Sequence, residues 1–141
     1  MAQPSLLLEI VSAESMLFSG DVSRLEVTGA GGELGIHPGH TPLLTYIKPG
    51  NVLATFKDNK QEVFYVSGGL LEVQPNSVTL LADTAARASD LDEAAALSAK
   101  ERAEQALADK QADLDYSKAL GELAEALAQL RAIEKLRRFK K

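Results

Sequence analysis

The stretch SVTLLADTAARASDLDEAAALSAK, residues 77–100, changes alphabet halfway along. Its opening, SVTLLA, is a short β-branched and aliphatic run, while its end, DLDEAAALSAK, is dense in Ala, Glu, Leu and Lys. The same contrast holds outward in both directions from about residue 85. All five prolines and nine of the ten glycines precede that point, whereas 16 of the 21 alanines follow it. Turn residues scattered among short apolar runs are the mark of an all-β unit, and a segment rich in strong helix formers is the mark of helices. The chain therefore reads as two units of different class, a β unit over 1–86 and a helical one over 87–141.

Upstream of the switch, SLLLEIV sets Leu6, Leu8 and Ile10 on one side of a strand, and SRLEVT alternates Leu25 and Val27 with Arg24, Glu26 and Thr28. Such period-two alternation is what a half-buried strand requires. EVFYV is apolar on both faces and is expected to run through the middle of a packed sheet. KDNKQ, with Asp58 and Asn59, suits a hairpin turn between NVLATF and EVFYV, and Pro75 with Asn76 separates GLLEVQP from SVTLLA. Strands of this length and spacing predict a small antiparallel β-sandwich or barrel, burying Leu8, Ile10, Leu25, Val27, Val63, Tyr65 and Val73.

Downstream, Ser89 followed by Asp92 reads as a capping box that opens a helix near Asp90. Ala96, Ala99, Ala103 and Ala106 fall on one stripe with Leu107 beside it. ADLDYS interrupts the run, and Asp113 or Asp115 is expected to cap a second helix. Along that helix Leu120, Leu123, Leu127 and Leu130 recur at three- and four-residue spacing, an apolar seam. Two helices with a short connection form an antiparallel hairpin. A hairpin that meets its partners through alanines is held weakly, because burying a Leu is worth ~1.5–3 kcal/mol and an Ala much less. Gly121 inside the second helix costs about 1 kcal/mol more relative to Ala. The hairpin is expected to be able to open or detach.

Composition excludes several functions. There is no Cys, so disulfides, thiolate catalysis and Cys-ligated zinc are ruled out together, in keeping with a reducing compartment. The start MAQPSLLLEI lacks the basic and long apolar regions of a secretory leader, and no apolar run approaches the ~18 residues that span a bilayer. A net charge of −5 argues against broad nucleic-acid binding, which needs clustered Lys and Arg. Charge is unevenly spread, however. Residues 1–84 and residues 85–130 each carry a net −5, while the last eleven, RAIEKLRRFKK, carry six bases and one acid. Basic residues at a helix C-terminus are favoured by its dipole. Six are more than that effect requires, so docking of the tip on an acidic surface stands beside it.

The two histidines, His37 and His40, lie three residues apart in GELGIHPGHTPLL. They could be a metal clamp, a catalytic pair or polar residues on an interface loop. A zinc site wants three or four ligands, and the nearest carboxylate is Glu33, with Pro38 stiffening the loop between the rings. Ser67 precedes two glycines without the G-x-S-x-G elbow of a hydrolase. GAGGELG is followed by a strand and by no GKS or GKT, so its glycines read as a bend rather than a phosphate loop. No enzyme chemistry and no metal site is expected. Residues alone lead to a sandwich with a mobile hairpin, an interaction protein; a free-standing adaptor of this architecture is the alternative to the reading that follows.

IVSAESMLFSG, GAGGELGIHPGHTPLLTYIKPG, YVSGGLLEVQPNSVTLLADTAARASDLDEA and LDYSKALGELAEALAQLRAIE, in this order, closely resemble the epsilon subunit of bacterial F-type ATP synthases. The resemblance spans about residues 8–136. It implies a non-catalytic rotor subunit on the cytoplasmic face of the bacterial inner membrane, a sandwich bound to the gamma subunit and seated on the loops of the c-ring. Glu33, His40 and Leu44 fall on family positions at or near those contacts. It also implies a regulatory hairpin. Folded on the sandwich it leaves the motor free; extended, its second helix inserts between gamma and the alpha–beta hexamer and blocks ATP hydrolysis. Arg131, Lys135, Arg137 and Arg138 are then the candidates for contact with an acidic loop of the beta subunit. Relatives that bind ATP on the hairpin carry I/L-D-x-x-R-A. Here Leu91 and Asp92 are present but Ala95 replaces the Arg, and Glu125 and Gln129 stand where further arginines would be. With Arg102 alone as a phosphate clamp, ATP binding is expected to be weak or absent and Asp92 to serve as an N-terminal helix residue.

Overall fold

The computed structural model describes residues 4–29, 31–109 and 113–139. Nine strands precede the helices: β1 (Leu6–Ser12), β2 (Met16–Val22), β3 (Arg24–Gly29), β4 (Gly32–Ile36), β5 (Leu43–Thr55), β6 (Gln61–Val66), β7 (Gly69–Gln74), β8 (Ser77–Ala82) and β9 (Ala85–Arg87). A 3₁₀ turn at Ala88–Asp90 leads to α1 (Glu93–Ala108) and α2 (Asp113–Phe139).

Strand order runs β2-β1-β8-β7-β5-β3-β4, with β6 pairing β5 and β9. The long strand β5 ties two layers together by changing partner along its length. Residues 43–47 pair with β7, and residues 50–55 pair with β6. Between them lies Pro49, which has no amide proton to give a ladder. The antiparallel expectation needs one correction. β1 and β8 run parallel, with Leu8 beside Val78 and Ile10 beside Leu80, the two being connected through β2–β7 and not by a hairpin turn.

Alternation decides what is buried. Leu6, Leu8, Ile10, Leu25, Val27, Val52, Phe64, Leu71, Val73, Val78 and Leu80 form one core between the layers. Tyr65 and Val63 are buried as expected, yet they belong elsewhere. With Leu53 and Ala88 they form a second cluster against Ala128 and Ala132 of α2. β6 is thus apolar on both faces, as expected of a strand inside a packed sheet: it lies between β5 and β9, with a different layer on each face. Phe64 and Val66 point into the sandwich, and Val63 and Tyr65 point at a helix.

The hairpin departs from the sequence reading in two places. α1 starts at Glu93, with Asp92 as its N-cap accepting from the Ala95 amide at 3.2 Å, a turn later than the Ser89 box implied. Residues 88–90 form the 3₁₀ turn instead, with Ala88 buried against the sheet. In α2 the leucine seam is not the buried one. Leu120 is exposed and Leu123, Leu127 and Leu130 are only half-buried, while Ala119, Ala126, Ala128, Ala132 and Ile133 are buried. Alanine lets α2 lie close to two neighbours at once, α1 on one side and β5 and β6 on the other. Of the expected stripe on α1, Ala96 and Ala103 are buried and Ala106 is exposed. The caps expected of Asp113 or Asp115 concern side chains outside the described residues.

Candidate functional site

The outward face of the sheet carries a row of apolar side chains where alternation calls for polar ones. Tyr46 on β5 pairs with Leu70 on β7, Leu70 with Leu81 on β8, Leu81 with Val11 on β1, and Val11 with Met16 on β2. Tyr46 is 75% exposed, Met16 53% and Leu81 48%. The neighbouring row is polar in the usual way: Glu72, Thr79, Glu9 and Ser19 across the same strands, ending in Leu44 at 64% exposure. Directly opposed side chains on a sheet stand about 4.5–5.5 Å apart at Cβ, so the five form one continuous patch. A hollow lined by Tyr46, Pro49, Leu70 and Leu81 lies at its β5 end.

The end of the row is fixed by the Ser67–Gly68–Gly69 connection between β6 and β7. Both glycines have positive φ, +123° and +144°, which side chains rarely tolerate. Ser67, the serine rejected as a nucleophile, is buried; its Oγ accepts from the Thr84 amide at 2.8 Å and so serves the backbone.

The loop after β4 turns at Gly39, whose φ is +86°. The Gly39 amide donates to the Pro75 carbonyl at 2.8 Å, pinning the loop to the β7–β8 turn. His40 donates from its amide to the His37 carbonyl at 3.1 Å and from Nδ1 to the Thr41 carbonyl at 2.7 Å. Among the described residues no group of three His, Cys, Asp or Glu side chains is placed to hold a metal ion. Glu33 on β4 is exposed and accepts from Thr28 Oγ1 at 3.1 Å. It shares a cleft with Thr28 and Asn51 of the sandwich and with Arg131, Glu134, Lys135 and Arg138 of α2. Sequence reasoning had assigned Glu33 and the basic tip to separate contacts; here the two lie together.

The hairpin is folded against the sandwich. Arg137 near the end of α2 is ion-paired with Glu93 at the start of α1, which ties the hairpin's two ends to each other. Arg138 bonds Glu134 at 2.9 Å within α2. Asp92 is committed to its cap and Arg102 is exposed on α1. Where α2 crosses β6, Tyr65 has its phenol pushed up to about 12 by burial, then by the Glu125 charge. Glu125 is raised as well, through desolvation and through the charges of Glu122 and Asp83.

Residues 5–88 match the family model for the beta-sandwich domain of the ATP synthase delta/epsilon chain, and residues 89–134 match that for its long alpha-helix domain. The chain belongs to the ATP synthase delta/epsilon family. Among solved structures, a chain of the Euglena gracilis mitochondrial ATP synthase (OSCP/F1/c-ring, rotational state 1) aligns with a TM-score of 0.82 at 18% identity, over 92% of this chain and 81% of that one. A chain of the Tetrahymena thermophila mitochondrial ATP synthase central stalk and c-ring aligns with a TM-score of 0.64 at 13% identity, over 94% and 99%. These likenesses are of fold, and they take in strands and helices together. No described helix is long and apolar enough to cross a membrane.

The row from Met16 to Tyr46 was missed in the sequence. Its signal was there: an apolar residue at an outward position on each of five strands. Only the register of the pairing lines them up.

Proposed function

We propose that this chain is the epsilon-type subunit of a bacterial, proton-translocating F-type ATP synthase, a non-catalytic part of the rotating central stalk. The observation that carries the reading is the apolar row from Met16 through Val11, Leu81 and Leu70 to Tyr46. A contiguous exposed apolar patch on a small domain marks a surface that a partner covers. In this family the partner is the gamma subunit. Glu33, His40 and Leu44 contribute to the gamma and c-ring contacts, on the cytoplasmic face and without insertion into the bilayer.

The second half of the proposal is regulation. The fully buried residues by which α2 sits on the sandwich are Ala128 and Ala132, each supplying roughly one methyl group, or about 0.8 kcal/mol apiece, with Leu136 partly buried beside them. So light a seat suits an element with two positions. Extended, α2 lies between gamma and the alpha–beta hexamer, and Arg131, Lys135, Arg137 and Arg138 meet acidic groups of beta. Residues 1–86 form the unit that binds gamma and the c-ring, and 87–141 the regulatory one. ATP binds this hairpin weakly or not at all, since Ala95, Glu125 and Gln129 offer no cation.

The test is ATP hydrolysis by a catalytic head lacking this subunit, titrated with the full chain, with residues 1–88 (which keep β9 and the buried Ala88), and with the double variant Tyr46→Glu, Leu81→Glu. The full chain binds and inhibits, residues 1–88 bind without inhibiting, and the double variant loses at least tenfold in affinity while keeping its fold. A folded full chain that does not bind the gamma-containing head removes the reading.

A further inference from the structure

We propose that Asn51 is a built-in release element of the hairpin: its side-chain carbonyl is stranded under α2 in the folded position and regains hydrogen bonds when α2 leaves. The proposal rests on the reading of the hairpin as an element with two positions. Alternation along β5 sets Asn51 on the same face as Leu53, and the strand pairing sets it beside Tyr65 of β6. Leu53, Val63 and Tyr65 of that face are buried against Ala128 and Ala132. Asn51 is thus a polar residue at the margin of an apolar seat, at a strand position that asparagine does not favour.

Its Oδ1 is closed to solvent and has no hydrogen-bond partner among the described residues. Arg131 and Lys135 of α2 line the cleft beside Asn51, yet neither donates to that oxygen. Turning the amide over exchanges the buried acceptor for a buried donor, so a polar atom stays under the helix either way. A buried acceptor without a donor loses its hydration and receives nothing in return, which weighs roughly 5- to 150-fold on the equilibrium that buries it. Once α2 lifts, the outer face of β5 meets water and the loss is recovered. The bias therefore runs toward the extended position.

This element acts without charge. The Arg137–Glu93 pair is screened by salt and Glu125 answers to pH, whereas an amide has neither dependence. Asn51 sets a constant offset on which those two act.

The experiment uses thiol labelling of the full chain. There is no cysteine, so Val63→Cys gives a single thiol beneath α2, at a position 1% exposed, that a reagent reaches only when the hairpin is off. Labelling is followed in this background alone and combined with Asn51→Leu or Asn51→Ala. One substitution is larger than asparagine and the other smaller, so misfit in the seat cannot mask the effect in both. Labelling should be at least about fivefold slower in one or both, by the same factor at low and high salt. Equal or faster labelling in both would overturn the proposal. So would a difference that vanishes in salt, which would belong to Arg131 and Lys135 instead. The reading it rests on fails separately. If the Val63→Cys chain labels only through unfolding of the sandwich, seen as a steep dependence on urea, α2 has one position and Asn51 has nothing to release.

Discussion

At Gly69 there is no room for a side chain. Its φ of +144° is closed to other residues, and a Cβ built there would collide with the Leu81 carbonyl and come within 2.9 Å of the Ala82 Cα. Both obstacles are backbone of β8, which cannot rotate away. Overpacking and a forbidden φ each cost about 1–3 kcal/mol, so Gly69→Ala should destabilise the sandwich by about 3 kcal/mol or more, read as a lower urea midpoint at unchanged slope. Glu125 acts at the same scale with the opposite sign. Its carboxyl is raised by desolvation first, then by Glu122 and Asp83, so the folded hairpin binds a proton that the free helix would release. The charged form is therefore the disfavoured one when the hairpin is seated. Seating is firmest at acid pH and weakens as pH climbs from the ordinary carboxylate value through the raised one. Glu125→Gln should flatten that dependence and slow hydrogen exchange in α2 at neutral pH; an unchanged pH profile would assign the dependence to another group.

At the scale of elements, what the sequence disclosed and what it hid divide along a physical line. The β alphabet, the helix alphabet and the point of change near residue 85 are local properties, and the strands and helices follow them. The inward side chains of β1, β3 and β7 were legible because alternation is intrinsic to a strand. The parallel pairing of β1 with β8 was not, because it depends on where the chain comes back. The leucine seam misled for a related reason. Size suggested that Leu120, Leu123, Leu127 and Leu130 would be buried, but α2 has two neighbours and needs small residues to approach both, so the alanines went inward. From this follows a prediction about Ala132, fully buried over Leu53, Val63 and Tyr65. Ala132→Asp places an unpaired carboxylate in an apolar seat, at a cost of several kcal/mol unless the helix leaves. The helix should leave. Limited proteolysis would cut the hairpin at least tenfold faster, while the sandwich keeps its melting temperature within about 2 °C.

For the whole molecule, the question is whether the basic tip acts by holding the hairpin down or by gripping something else once it is up. Residues 131–141 carry +5 in a chain of −5, and in the folded position Arg137 is paired with Glu93 and Arg138 with Glu134. Both pairs are exposed, and exposed pairs are worth about 0.2–1 kcal/mol. Arg138–Glu134 lies within α2, so only Arg137–Glu93 bears on the folded position. Its loss costs about fivefold in population at the upper end of that range, and the Glu–Glu repulsion that replaces it adds to the change in the same direction, toward extension. If extension alone set inhibition, the reversed chain would inhibit ATP hydrolysis better than the native one. If the tip grips acidic groups of the catalytic subunits, the reversal turns attraction into repulsion at the point of contact, and inhibition should fall at least tenfold although the hairpin opens more readily. The two effects have opposite signs, so one titration of ATP hydrolysis separates them. Hydrogen exchange on the free chain supplies the population change, and the binding to gamma proposed for the row from Met16 to Tyr46 should be unaltered. We expect loss of inhibition; retained or improved inhibition would move the grip away from Arg137 and Arg138 to another part of α2.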